Sequence, residues 1–415
     1  MTTYNNVSNG SKREQIYKCD WLCQTGYYAK TKRKGGRGMR EGWEYQKLGD
    51  SCVIEYGTRV VQKKDGGTKY PVYGGGGETF RMDKYNRENC LVVARFAMSR
   101  TCVRYVTGKF FLNDSGLSIK AGKELLQSYL NHHILHLNDD IYNLGKGAAQ
   151  RNLDVNSFRN LIITIPPLST QLSIVFELDR INELIRLKKE QLKDYDNLAQ
   201  SIFYEMFGDP VVNEKGWEVK KLGELSDLIC NGNTPKGGSE VYVDTGFLFL
   251  RSQNVWKNRI ELDDVAFIDE ATHKSLKKSS LKHNDLLITK TGRINTENSS
   301  LGRTALFEGE DNSANINGHV YLVRLKDGMV HKFVLYILIS NSYRELIRKT
   351  CVGGIDKRQL NKDHIEDFPI IFPPIELQKK YVERIELIEK QKEQVRSTIQ
   401  DLETLLASRM QYWFD

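Results

Sequence analysis

Apolar residues recur with a 3.5-residue spacing in two long stretches of this chain. Ile174, Leu178, Ile181, Ile185, Leu192, Tyr195, Ala199, Ile202 and Met206 fall on the a and d positions of one heptad register, interrupted only by Lys188. The spacing returns at Tyr381, Ile385, Ile388, Val395, Ile399, Leu402, Leu406 and Trp413, with Lys392 and Arg409 as breaks. A seam at 3.5 rather than 3.6 residues asks for a partner helix packed by knobs into holes. A helix lying on its own domain shows a wider apolar stripe. Each stretch opens after a Pro-Pro pair, which suits a helix start, and the first has no Pro or Gly as far as Phe207. The pattern predicts helices over 168–207 and 375–415, each about 55–60 Å long at 1.5 Å per residue. The regions before them are Gly-rich, with short β-type runs such as Cys90-Leu91-Val92-Val93-Ala94 and Asp285-Leu286-Leu287-Ile288-Thr289.

The chain is also written twice. Gly42-Trp43-Glu44-Tyr45-Gln46-Lys47-Leu48-Gly49-Asp50 returns 174 residues later as Gly216-Trp217-Glu218-Val219-Lys220-Lys221-Leu222-Gly223-Glu224. Ile165-Pro166-Pro167 with Gln171 returns 207 residues later as Phe372-Pro373-Pro374 with Gln378. The same larger offset aligns Gly147 with Gly354, Arg151 with Arg358 and Leu153 with Leu360. An ordered series of matches is a tandem duplication whose second copy carries one consistent insertion.

The simplest partner for each seam is the other. A helix leaving the first head enters the second, and its twin leaves the second, so only an antiparallel arrangement gives both a partner. The expected fold is mixed α/β, with α+β heads. Two tandem heads, 42–167 and 208–374, are separated by a central helix, 168–207, and a closing helix, 375–415. The helices form an antiparallel intramolecular coiled coil with pseudo-twofold symmetry. Residues 1–41 read as a basic flexible tail. In a DNA-binding protein, such symmetry predicts two half-sites at a fixed spacing.

Composition narrows the class. With 40% hydrophobic and 27% charged residues, a wholly disordered chain is excluded. Mean hydropathy of -0.50 and the lack of a long apolar run argue against a membrane span, and no signal peptide is visible at the start. Seven scattered cysteines fit reduced thiols in a cytoplasm better than a disulfide framework. Cys19 and Cys23 are close, yet nothing follows them at zinc-finger spacing, so free thiols are the simpler reading. The net charge of +8 comes from residues 1–167, above all from Lys30-Thr31-Lys32-Arg33-Lys34-Gly35-Gly36-Arg37. This run is either a phosphate-seeking cation or a solvated leader. Met39 offers an alternative start that would remove residues 1–38.

The chemistry inventory points away from catalysis. There is no Gly-x4-Gly-Lys-Ser/Thr phosphate loop and no His-Glu-x-x-His pair. The Asp/Asn-Pro-Pro-aromatic tetrapeptide with which adenine methyltransferases grip the target base is also missing. Asp209 with Glu218-Val219-Lys220 imitates a nuclease's carboxylates, but the first copy reads Glu44-Tyr45-Gln46 there. No catalytic, cofactor-binding or metal-binding residue is therefore expected.

What remains is a surface suited to nucleic acid. In the first head Arg59, Lys63, Lys64 and Lys69 precede Tyr73-Gly74-Gly75-Gly76-Gly77. Glycines there let a backbone lie close to another surface, a plain hairpin loop being the alternative. In the second head Lys236 sits in the loop opened by Asn233-Thr234-Pro235. Arg251-Ser252-Gln253-Asn254 follows one strand, and Lys290-Thr291-Gly292-Arg293 follows another. Gln150-Arg151-Asn152 and Lys357-Arg358-Gln359 are repeat-equivalent polar triplets. Arg and Lys suit guanine edges, Asn and Gln suit adenine edges, and Ser and Thr position phosphates.

The doubled Gly-Trp-Glu…Lys-Leu-Gly and Pro-Pro…Gln patterns, with Asn231-Gly232-Asn233-Thr234-Pro235 and Ile288-Thr289-Lys290-Thr291-Gly292, resemble the specificity subunit of type I restriction-modification systems. The resemblance spans about 42–415. It implies that each head, 42–167 and 208–374, is a target recognition domain that reads one half of a split double-stranded DNA target, while the helices set the gap and dock two methyltransferase subunits. Restriction subunits would complete the complex. S-adenosylmethionine, ATP and Mg would be used by those partners, with no cofactor in this chain. The alternatives are a fused methyltransferase-nuclease and a protein-binding scaffold.

Overall fold

A computed structural model describes residues 40–415, except 149, 295, 297, 355 and 356. The basic run Lys30–Arg37, Cys19, Cys23 and Met39 lie outside the described residues. The chain divides into two compact units. One is built on residues up to Lys189 together with Ser397–Asp415, and the other on Glu190–Arg396. Two helices of 40 residues, Leu168–Phe207 and Ile375–Phe414, are each shared between the units. No helix of the described residues is long and apolar enough to cross a membrane.

In the first unit a six-stranded sheet has the order 52–56, 116–121, 87–94, 103–112, 70–73, 78–82. Only the 70–73 and 103–112 pair is parallel. Leu91, Val92 and Val93 are fully buried, which is why that run reads as continuous rather than alternating. The second unit carries the equivalent sheet in the order 226–231, 320–325, 286–289, 304–306, all antiparallel. The equivalence is fixed by matching backbone bonds. Gly57 donates to Gly116 O in one unit, and Gly232 donates to Val320 O in the other, each at 3.1 Å. The second unit adds a four-stranded sheet, 242–243, 266–268, 247–250, 314–316.

One expectation is corrected here: the extra length of the second copy is not a single insertion. Most of it lies between Gly232 and Thr289, which correspond to Gly57 and Ala94. The remainder is spread over later loops, because the offset between matched bonds keeps growing from strand to strand.

The repeated motifs have a common structural use. Glu44–Lys47 pairs antiparallel with Ile162–Ile165, and Val219–Lys221 pairs with Pro369–Ile371 in the same way. Leu48 and Leu222 follow these strands and are fully buried. The next residue is Gly in both copies because a Cβ on Gly49 would press on Arg159, and one on Gly223 would press on Glu366 O at 3.2 Å. Asp154 and Asn361, repeat equivalents, each cap the short helix that leads to the second strand of the pair.

Within each unit the two long helices pack antiparallel. In the first, Arg409 forms a forked ion pair with Glu177, whose Oε2 also accepts from Trp413 Nε1 at 2.9 Å, while Lys189 reaches Glu403. In the second, Asp196 meets Lys392 at 2.8 Å, and Phe203 packs edge-on against Tyr381. Ile174, Leu178, Ile181, Ile185, Tyr381, Ile385, Ile388, Val395, Ile399 and Leu406 are buried along these contacts.

The heptad register fails at the end of each helix. Leu192, Tyr195, Ile202 and Leu402 are only half-buried. Beyond Ala199 the buried residues are Phe203 and Phe207, and beyond Leu406 they are Met410 and Phe414. The expected positions Met206, Arg409 and Trp413 stay partly exposed. Spacing changes from 3.5 to 4 at the same place in both copies. The cause is an added partner: Phe207 packs on Phe333 and Trp217 of the head as well as on Tyr381 of the sister helix, and Phe414 stacks on His133 at 4.6 Å. A row at i, i+4 meets a globular core, whereas the 3.5 seam meets a sister helix.

Candidate nucleic-acid interface

In the first unit four loops converge beyond the end of strand 87–94. Arg95 N donates to Ser115 O at 2.8 Å, and Gly75 N donates to Ser115 Oγ at 3.0 Å. Met98 N donates to Arg151 O, and Leu153 N donates to Arg95 O. Loops 74–77, 95–102 and 113–116 and the hairpin at 145–153 thus form one surface. It carries Arg95, whose guanidinium lies over Tyr56 and Phe96. Arg100 and Arg151 both lie over the ring of Tyr142, at 5.2 and 4.6 Å. Asn152 accepts from Ala97 N, and Gln150 is exposed. Neither Arg95 nor Arg151 is in an ion pair among the described residues. These two guanidinium groups, held on aromatic faces without a carboxylate partner, are suited to the anionic edge of a nucleic acid.

The other expected residues of this head are divided. Arg59, Lys63, Lys64 and Lys69 are exposed, but Lys69 precedes strand 70–73 whereas the glycines follow it. Tyr73, Gly74 and Gly75 are corrected as surface contacts, because all three are buried. Tyr73 packs edge-on against Phe110 at 5.5 Å. A Cβ on Gly74 would lie 2.2 Å from Ser115 Oγ, and one on Gly75 would lie 2.4 Å from Phe96 O. The close approach these two glycines permit is to the protein's own loops.

In the second unit the corresponding edge gathers Lys290, Thr291 and Arg293 with Lys357, Arg358 and Gln359. Strand 291–292 pairs with 358–359, Thr291 opposite Gln359 and Gly292 opposite Arg358. Lys290 N donates to His319 O, and its carbonyl accepts from Leu360 N. Arg251 adjoins the same edge, since Asn317 N donates to Leu250 O. Arg251 and Gln253 are engaged by Asp264: Gln253 Nε2 donates to it at 2.6 Å, and Arg251 pairs with it at 3.3 Å. The Gln253 amide and the Arg251 charge hold the Asp264 carboxyl below its usual range. An incoming anion would compete with that carboxylate. Asn254 is corrected as a base contact. It is buried, and its amide is spent on Arg251 N, Glu261 O and Asp264 O. Lys236 is exposed in the neighbouring loop.

Arg95 escaped the sequence reading, although a signal was present. Leu153 bonds to Arg95 O as its equivalent Leu360 bonds to Lys290 O. Aligning Leu91-Val92-Val93-Ala94 with Leu286-Leu287-Ile288-Thr289 puts Arg95 in the place of Lys290. The nuclease-like trio also resolves: Asp209 Oδ1 accepts from Val211 N and Val212 N in a turn, and Lys220 lies over Phe372. No group of His, Cys, Asp and Glu among the described residues could hold a metal ion.

The family described as the type I restriction modification DNA specificity domain matches residues 40–194 and 214–404. The chain belongs to this family. It is 24% identical over 281 residues to the type I restriction enzyme MjaVIII specificity subunit of Methanocaldococcus jannaschii, covering 63% of this chain and 64% of that one. It is 23% identical over 263 residues to the MjaIX specificity subunit of the same organism, covering 59% of this chain and 58% of that one. The chain therefore spans about three fifths of the length of these relatives. The fold is similar to that of the S subunit of a type I restriction-modification system from M. genitalium. That likeness has a TM-score of 0.52 at 16% identity, covering 90% of this chain and 96% of that one. A chain from a structural study of assembly and conformational transition in the type I R-M system gives 0.51 at 20% identity, over 91% and 98%.

Proposed function

We propose that this chain is the DNA sequence-recognition subunit of a cytoplasmic type I restriction-modification complex. Each head reads one half of a bipartite duplex target, and the paired helices act as a coiled-coil spacer that sets the gap. The chain itself carries out no reaction. Two methyltransferase subunits dock on the helices, restriction subunits complete the assembly, and these partners use S-adenosylmethionine, ATP and Mg. The observation that carries this reading is the duplicated cationic edge. Arg95 in one head and Lys290 in the other leave equivalent strands, and each is bonded through its carbonyl to the equivalent leucine. Direct base contacts would come from Arg151, Arg358 and Gln359, with Arg95 and Lys290 on phosphates.

The test is an exchange of residues 42–167 for the corresponding head of a relative that recognises a different sequence. One half of the methylated target changes and the other half stays. A change in both halves, or in neither, contradicts modular reading.

A further inference from the structure

Four glycines follow Tyr73, and the structure separates them into two pairs. Gly74 and Gly75 are required by packing, as the contacts above show. Gly76 and Gly77 are not. Both are exposed, an added Cβ would meet nothing within 4 Å, and neither has φ in the left-handed region. Nothing among the described residues excludes a side chain there, and glycine at an ordinary φ only adds conformational freedom to the unfolded chain. A floppy turn is not the explanation. Arg104 Nη2 donates to Gly75 O at 2.8 Å and to Thr101 O at 3.1 Å, and its Nη1 donates to Gly76 O. One guanidinium thus pins the glycine turn to the loop that carries Arg95 and Arg100.

We infer that Gly76 and Gly77 form a close-approach site for duplex DNA. The sugar-phosphate backbone or a groove wall comes into van der Waals contact with the bare main chain, in space that any side chain would fill. Arg104 is a positioning residue that holds the turn at the height of the neighbouring cations. The occupant is an anion of extended shape because Arg95 and Arg151 lie on separate loops bonded to this turn. The inference rests on the proposed DNA-reading role and adds the point of closest contact in the first head.

The experiment uses the full chain assembled with its methyltransferase partners. Gly76→Ala, Gly77→Ala and Gly77→Val are compared with the unaltered protein. Thermal unfolding is measured, as is affinity for a duplex bearing the target mapped for the unaltered complex. The expected result is unchanged unfolding temperature with weakened binding, mildly for Ala and about tenfold or more for Val, a loss near 1.4 kcal/mol or above. Gly74→Ala, by contrast, lowers the unfolding temperature. Full affinity in Gly77→Val overturns the inference. So does loss of thermal stability in both alanine variants, which would make these glycines servants of the fold. Loss of subunit assembly with intact DNA affinity overturns it in favour of a protein contact. If the unaltered complex selects no target, the DNA-reading role itself fails, and that result is distinct from the others.

Discussion

The side-chain amide of Gln171 donates to Pro166 O at 2.8 Å from a fully buried position. Its repeat equivalent Gln378 makes the same bond to Pro373 O at 2.7 Å. The Pro-Pro…Gln signature is thus a helix-start device: the helical ladder begins at Pro167 O and Pro374 O, the carbonyl one residue earlier lies outside it, and the glutamine one turn on supplies that carbonyl's donor. Gln171 does more than its twin. It also donates to Glu124 O and accepts from Leu126 N, each at 2.8 Å. Gln171→Leu is therefore expected to cost about 3 kcal/mol and Gln378→Leu about 1–2 kcal/mol, since each orphaned buried group carries a desolvation penalty. Chemical denaturation of the two variants checks this; an equal loss in both would contradict the assignment.

Lys392 breaks the seam of the closing helix and is nearly buried, at 6% exposure. It lies 2.8 Å from Asp196 and 3.0 Å from Glu389, which also accepts from Tyr336 OH. Lys392 is desolvated while the Asp196 carboxylate it meets stays largely in water, which weakens the attraction, so Lys392→Met is expected to leave stability within about 1 kcal/mol or raise it. Lys392→Glu, which gathers three carboxylates, is expected to lose about 3–5 kcal/mol. Thermal melts of the two variants decide it. A severe loss in Lys392→Met would show that the charge itself stabilises the helix pair.

His133 ties stability to pH. Its ring is buried and stacked on Phe414. Burial, aided by the neighbouring His136, holds its pKa down at about 3, against the opposing pull of Asp415. The folded state refuses a proton that the unfolded chain accepts below about pH 6.5. Stability is thus full above that pH and falls as pH drops toward 3, by about 1.4 kcal/mol per unit. On the same helix His132 Nε2 lies 2.8 Å from Asp179 Oδ1, and His136 Nε2 lies 2.8 Å from Asp415 Oδ1. His133→Phe keeps the ring stack and is expected to flatten the slope between pH 6 and pH 4 in urea unfolding. A slope identical to that of the unaltered protein would assign the acid sensitivity elsewhere.

Arg95 and Arg151 are expected to differ in what they contribute on DNA. Arg95→Ala, which removes a phosphate contact, should weaken binding to all sequences and reduce the dependence of log K on log salt by about one unit. Arg151→Ala, which removes a base contact, should leave the salt slope nearly intact and relax selection at one position. Salt titrations of binding separate the two roles.

Much of this was legible in the sequence, and the gaps have physical causes. The heptad positions from Ile174 to Ile185 and from Tyr381 to Ile399 mark helices because burial follows backbone periodicity. The shift to Phe203, Phe207, Met410 and Phe414 was not legible, because it depends on where each helix also meets a globular core. Asn254 reads as an adenine contact by residue type, yet its amide faces inward. A polar side chain after a strand carries no local mark of which way it points. The glycine run announced a close approach, but only packing around Ser115 and Phe96 tells which two glycines serve the fold. Arg95 was readable in principle from the repeat, since its place matches that of Lys290.

The account rests on two heads reading one duplex at a set separation. Selection from a random duplex library by the assembled complex, followed by sequencing of the bound DNA, tests it most directly. The account predicts two short specified blocks separated by a run of fixed length and free sequence. A single uninterrupted block, or two blocks at variable distance, would contradict it.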